Sequence, residues 1–443
     1  MQRFLRVLVA SLALSVLFGV PAVRATLGDG NLRTVCPSGC DYSDLQSALD
    51  WVHTQVPGPT NVYTVLLEAG IHTSSSSITL YGDDYINIVG RGIGASILQA
   101  SGAWFTSCAG GTDTSCDFLD LTGSDHITLR GFSIDAASND PGAGGTNRMN
   151  GVFVDGTRIL VDSCSIQGIT YGIWEGIGAS HPGNLIEIFN SKVQGMWYGI
   201  GIRGAVWHVF SSDVRAVNPG GASGPPGVYQ QAVGVEGTGN DSTFWGSHLH
   251  AETSLPGQSF PVQAARIGSG ASGEVSFVGS TLHAKVTTAD VNSTRTMFSL
   301  FNTASGVKTN LIGCDLIYES PSSLSGGYIG GINYVLSGPI NLVGVHFFDG
   351  GGSGGTRVDV RGLVAGSVVQ TAGTKIASTI NFSGQPIAGL ATKYDPIGLQ
   401  SGSATIGSAD TTVAVTLTVP MADANYRVSL SSSAGELVWV TNK

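Results

Sequence analysis

The chain has 443 residues, only 12% of them charged and 64 of them glycine, with 21 Lys and Arg against 31 Asp and Glu, a formal charge of −10. That acidic balance excludes a general nucleic-acid binder and repels an acidic polysaccharide unless a cation or a local basic patch mediates. Low charge with abundant Gly, Ser, Thr and Val excludes a helical bundle and points to an all-β protein with many tight turns.

In chain order, residues 1–25 read as a secretory signal peptide. Arg3 and Arg6 precede an apolar run from Val7 to Val20, followed by Pro21 and small residues up to Ala25. Cleavage after Ala25 leaves 18 basic and 31 acidic residues, a charge of 18 − 31 = −13. The expected location is secreted, extracellular or at the cell surface, and no later run is apolar and long enough to span a membrane.

Residues 26–60 read as an N-terminal cap. YSDLQSALDWVHTQV (42–56) places Leu45, Ala48, Leu49 and Val52 at helical spacing, with Ser43 and Gln46 as a capping box. Six cysteines in an exported chain invite disulfides. Cys36 and Cys40, and Cys108 and Cys116, are close enough in sequence to pair locally.

Residues 61–382 carry a repeat. GFSIDA (131–136), SCSIQG (163–168), NSKVQG (190–195), SSDVRA (211–216), GSHLHA (246–251), GSTLHA (279–284), GCDLIY (313–318) and GVHFFD (344–349) align on a small residue, any residue, then an apolar one. Their fourth positions are spaced by 32, 27, 21, 35, 33, 34 and 31 residues, the signature of a solenoid. Each repeat holds two further short pieces of period-two alternation, such as GVFVDG (151–156) and RILVDS (158–163). Three short strands per repeat predict a right-handed parallel β-helix. Small residues before each third strand allow a tight bend, and the cap helix plugs the open first coil. Cys164 and Cys314 fall at this bend five coils apart, roughly 24 Å at ordinary strand spacing, so they are expected as unpaired buried thiols.

DYSDLQSALDWV, VYTVLLEAGIHT (62–73), INIVGRG (86–92) and ITLRGFSID (127–135) resemble the opening coils of the pectin-lyase-like superfamily, which includes pectate lyases, pectin methylesterases and phage tailspikes. The resemblance covers about residues 33–360. It implies the fold and a polysaccharide partner; the catalytic signatures of polygalacturonases, pectate lyases and methylesterases are not recognisable. Residues 383–400 read as a linker, and 401–443 as a small antiparallel β module ending directly after a strand, as a truncated module would.

In that family the first strand of each coil floors a groove. Alternation places Val152, Val154, Ile173, Ile200, Ile202, Val233 and Val235 inward. Asp155, Trp174, Arg203 and Glu236 then point outward, with Glu175 at a strand end where one residue of slippage decides its face. Short loops at 168–170 and 195–197, between long ones at 136–150 and 216–231, predict a cleft bordered by Tyr171, Trp197 and Tyr198. Asp155, Glu175, Arg203 and Glu236 are the candidate catalytic residues, and Trp174, Tyr171, Trp197 and Tyr198 the candidate sugar platforms. Stacked strands put Asp155 about 5 Å from Glu175, which suits shared cation binding or a retaining carboxylate pair, and Glu175 roughly 10 Å from Glu236, near the upper limit for an inverting pair. Arginine serves as the proton-abstracting base in the pectate lyases the chain resembles, a role the resemblance extends to Arg203. The bland alternative is a solvated charged face.

His248, His250 and His283, with Asp213, are expected on the outer face of the third strands, where a surface zinc site is geometrically open to them and exposed imidazoles are the commoner explanation. Asp135, Asp140, Asn147 and Asn150 could take calcium, with Arg148 for an anion, though without fixed ligand spacing. Calcium is thus the cofactor left open. The reading is a secreted β-helix protein that binds and degrades a polysaccharide, hydrolysis being favoured over lyase chemistry by the acidic charge. The alternative is a non-catalytic adhesin or tailspike-like binder or surface protein, with homo-oligomerisation through the C-terminal module left open.

Overall fold

The computed structural model describes residues 30–383 apart from loops at 111–114, 138–147, 177–184, 219–231, 238–239, 255–261, 269–271, 288–296, 305, 322–327, 335–339, 350–355, 362–367 and 371–381. The expected signal peptide, linker and C-terminal module, and most of both long loops expected to flank a cleft, lie outside these residues.

The described chain winds as the right-handed parallel β-helix that the repeat predicts. Three all-parallel sheets of 12, 11 and 10 strands run its length, and in each sheet every strand pairs with its counterpart one coil away. The eleven-stranded sheet holds the first strand of each coil, such as Arg148–Asp155, Tyr171–Glu175 and Tyr198–Ile202. The twelve-stranded sheet holds the second, such as Arg158–Asp162, and the ten-stranded sheet the third, such as Ser165–Gln167. Ile134, Ile166, Val193, Val214, Leu249, Leu282, Leu316 and Phe347 stand in direct register, stacking one apolar residue per coil.

The bend before each third strand has a conformational cause. Gly131, Ser163, Asn190, Ser211, Gly246, Gly279, Gly313 and Gly344 all have φ between 47° and 69°, the left-handed region that favours Gly and tolerates small polar residues. The next residue points inward and builds a second ladder. The amide of Cys164 donates to Ser191 Oγ at 3.0 Å, that of Ser191 to Ser212, that of Ser212 to Ser247, and that of Ser247 to Ser280. Cys164 and Cys314 occupy this same step as buried free thiols, and burial pushes both up to about 11.

Helix α1 (Leu45–Thr54) covers the first coil through buried Leu45, Ala48, Leu49 and Val52. Its cap departs from the expected box. Asp44 is the N-cap and accepts from the Ser47 amide at 2.8 Å, because Gln46 is engaged elsewhere, bonding both ways with the backbone of Thr79. The first strand, Leu32–Val35, lies within the expected cap yet pairs with Tyr63–Leu67 as part of the twelve-stranded sheet. Helix α2 (Gly102–Gly110) is an element the repeat does not predict; it buries Trp104 and Phe105, with Trp104 edge-on to Phe118. Both expected disulfides form, Cys36–Cys40 and Cys108–Cys116. Among the described residues no helix is long and apolar enough to cross a membrane.

Candidate functional site

The first strands do not alternate simply. In each, two successive residues point into the coil: Phe118 and Leu119, Gly151 and Val152, Gly172 and Ile173, Gly199 and Ile200. Glycine holds the first of these places because the strand turns there against the third sheet. A Cβ on Gly151 would lie 3.1 Å from core Ile166, and one on Gly199 2.6 Å from core Val214. The inward doublet shifts the parity of everything before it.

Two ladders therefore face out from this sheet. One runs Asp117, Asn150, Tyr171, Tyr198, Val233, Gln263; the other runs Asp120, Phe153, Trp174, then Gly201, Glu236, Arg266. Val233, expected inward, sits in the outer ladder level with Tyr198, which corrects that assignment. It is nonetheless fully buried, because the outer face carries its own apolar cluster of Tyr171, Trp174, Tyr198 and Val233, with Phe153 and Trp197 packed against it.

The expected aromatic platform does come together, in a different state. Tyr171 stacks on Tyr198 with ring centres 4.4 Å apart and planes within 7°, and Trp174 leans on Tyr171 at 4.2 Å. Tyr171, Trp174 and Tyr198 are 3%, 2% and 7% exposed, so their faces are spent on one another and are not open to a sugar ring. Arg203 joins them, its guanidinium carbon 4.7 Å from the Trp174 ring centre, a cation–π contact.

Glu175 is a clear correction. It pairs in register with Val154, an inward position, and is 1% exposed. Its carboxylate accepts from the amides of Arg203 at 2.7 Å and Ala205 at 2.8 Å, and from the indole of core Trp207 at 3.0 Å. Burial, the largest influence, raises its pKa, and these donors pull the other way. Glu175 holds the turn of the next coil from inside and is not placed to meet a substrate. It therefore forms no carboxylate pair with Asp155 or Glu236. Asp155 remains at the outer edge, level with Thr122, its Oδ1 buried without a hydrogen-bond partner, as is Arg203 Nε. Glu236 lies between Gly201 and Arg266 in the outer ladder; its side chain is outside what is described.

Two acids that the repeat alignment did not include stand on the same face one coil earlier. Asp117 accepts from Asn150 Nδ2 at 2.6 Å. Burial raises it to about 6, the Asn150 hydrogen bond opposing and the nearby Asp120 charge adding to the effect. Asp120 accepts from the Thr122 amide at 2.9 Å. The available signal was the doublet itself: DFLD (117–120) and NGVF (150–153) share an outer–inner–inner–outer pattern that strict alternation hides. Of the calcium candidates only Asp135 and Asn150 are described. Asp135 lies in the ten-stranded sheet and accepts from Gln99, Asn150 donates its Nδ2 to Asp117 with its Oδ1 left unpartnered, and Asp140, Asn147 and the Arg148 side chain lie outside the described residues.

The histidines do assemble. His248, His250 and His283 each offer a nitrogen, all within 4.8 Å of one another. Asp213 Oδ1 is 3.1 Å from His248 Nδ1 and is also held by Arg215. Burial, its leading influence, pushes His250 down to about 4 and also lowers His283.

No protein-family model and no curated protein matches this chain. Among solved structures it is similar to ORF18 of Geobacillus virus E2, at 12% identity and TM-score 0.36 over 72% of this chain; it spans 57% of that one. It is similar to the A-module of mannuronan C-5 epimerase AlgE4 from Azotobacter vinelandii, at 12% identity and TM-score 0.35 over 76% of this chain and 94% of that one. Pectin methylesterase from carrot is a third, at 12% identity and TM-score 0.38 over 71% and 84%.

Proposed function

We propose that this is an exported protein that binds and hydrolyses a polysaccharide across the outer face of the eleven-stranded sheet, with Asp117 as proton donor and Asp120 as the second carboxyl group. The observation that carries the reading is a pair of acids on one outward face: burial raises Asp117 to about 6, and Asp120, on the same strand, accepts from the amide and hydroxyl of Thr122. Two carboxyl groups on one face, one of them holding its proton toward neutral pH, are the usual equipment of a glycosidase. Three residues of strand separate their Cα atoms by at most about 10 Å. Half-buried Phe153 stands beside Asp120 in the next coil. Two disulfides support an oxidising destination.

The test is a panel of neutral and weakly acidic polysaccharides, followed for reducing ends and for unsaturated products with and without a chelator. Hydrolysis predicts reducing ends alone, lost about 100-fold or more in Asp117→Asn. Chelator-sensitive unsaturated products mean a lyase, and binding without either product means an adhesin; both outcomes reject the proposal.

A further inference from the structure

Three histidines on the ten-stranded sheet have a use that the proposed glycan face does not absorb. His248 and His250 lie on the strand His248–Thr253 and His283 on Thr281–Val286, with His250 and His283 in direct register. His248 and His250 each have a carboxylate within hydrogen-bond reach of one ring nitrogen, and Glu319 flanks His283. Asp213 Oδ1 is 3.1 Å from His248 Nδ1, Glu252 Oε2 is 3.0 Å from His250 Nε2, and Glu319 Oε2 is 3.5 Å from His283 Nε2.

These carboxylates decide the tautomers. A carboxylate only accepts, so in His248 and His250 the nitrogen facing it carries the proton and the other ring nitrogen presents a lone pair. His250 thus turns its Nδ1 lone pair toward His283 Nδ1, 3.2 Å away, where it accepts either the proton of that ring or a cation. One ring nitrogen from each of His248, His250 and His283 lies within 4.8 Å of the others.

We propose that His248, His250 and His283 bind a divalent transition-metal ion of the zinc class, with Asp213 and Glu252 as positioning residues that fix the rings of His248 and His250. A tetrahedral ion with metal–nitrogen bonds of about 2.05 Å sets its ligands about 3.3 Å apart, close to the separation of the His250 and His283 nitrogens. A ring nitrogen bonded to the metal with a carboxylate on the opposite nitrogen is the usual outer arrangement of such sites. Three nitrogens leave a fourth position for water or a ligand. Imidazole donors fit zinc, nickel, copper or cobalt and disfavour calcium and magnesium, which take oxygen. Ligands from two adjacent coils would pin those coils together.

The test is titration of the full-length protein, purified without a histidine tag, with ZnCl2 by calorimetry at neutral pH, and with CoCl2 by visible absorption. One ion per chain is expected, with the intense visible bands of four-coordinate cobalt. His248→Ala and His283→Ala should each weaken binding at least tenfold, and Asp213→Asn about tenfold, with the far-UV circular dichroism unchanged. Because buried His250 is the substitution most at risk of misfolding, the partly exposed His248 carries the decision. Absence of binding, or binding undiminished in His248→Ala, overturns the proposal. So does a histidine proton resonance showing an imidazolium shared between His250 and His283 that excess zinc does not displace.

Discussion

Replacing Glu175 by alanine tests whether its carboxylate is a structural anchor or a catalyst. The substitution removes the acceptor of three N–H groups, the amides of Arg203 and Ala205 and the indole of Trp207. Each donor left unsatisfied in the interior costs about 1–3 kcal/mol. Relief of the carboxylate's own burial cost, the leading cause of its raised pKa, offsets part of that sum. The net expectation is a loss of about 3–5 kcal/mol, in line with the removal of one partner from a buried charged network. Glu175→Gln keeps one acceptor oxygen but turns an NH2 group toward the donors, so about half that loss is expected. Guanidinium unfolding of the full chain gives the global figure. Adjacent coils of a solenoid need not unfold together, so hydrogen exchange at the amides of Arg203 and Ala205 is the sharper readout, and both should exchange faster. A stability within about 1 kcal/mol of the parent, with both amides still protected, would refute the anchor. Loss of polysaccharide turnover in a variant that kept its stability would return Glu175 to the catalytic role.

Asp117 predicts an effect of opposite sign. Its folded pKa of about 6 lies above the ordinary value of 3.8, so the native state holds its proton more tightly, and stability falls as pH rises from about 4 to about 6. Asp117→Asn should remove that slope and raise stability at pH 7 by up to about 3 kcal/mol while abolishing the proposed turnover; thermal melts at both pH values decide. Gly201→Ala should cost about 1–3 kcal/mol, because the added methyl overlaps the Trp174 ring and the edge of Tyr171. The near-UV circular dichroism of that aromatic stack should change with it. Cys164 and Cys314, buried and pushed up to about 11, should resist a thiol reagent at pH 8 until the protein is unfolded. Cys164→Ser should shift stability by less than about 1 kcal/mol, since Ser191 already fills the same step one coil on.

The winding was legible in the linear chain because it rests on local demands repeated in every coil. A left-handed residue marks each bend, followed in six of the eight coils by Ser or Cys, and an apolar residue three places on marks the third strand. The same locality made Leu45, Ala48, Leu49 and Val52 readable as the cap and the two close cysteine pairs readable as disulfides. The face of a side chain in the first strand was not readable by alternation, because the Gly151, Gly172 and Gly199 steps insert a second inward residue. A one-residue shift then moves Val233 to the outer face, and the actual register sends Glu175 to the interior. Exposure was also beyond a local pattern. Trp174 does face outward, yet packing with Tyr171 and Tyr198 buries it, a result set by neighbours in other coils. The chemistry of Asp117 depends on burial and on Asn150 33 residues away. The histidine cluster lies between the two cases: strand parity put His248, His250 and His283 on one face, but only the folded chain set carboxylates against His248 and His250 and brought a nitrogen of each ring within 4.8 Å of the others.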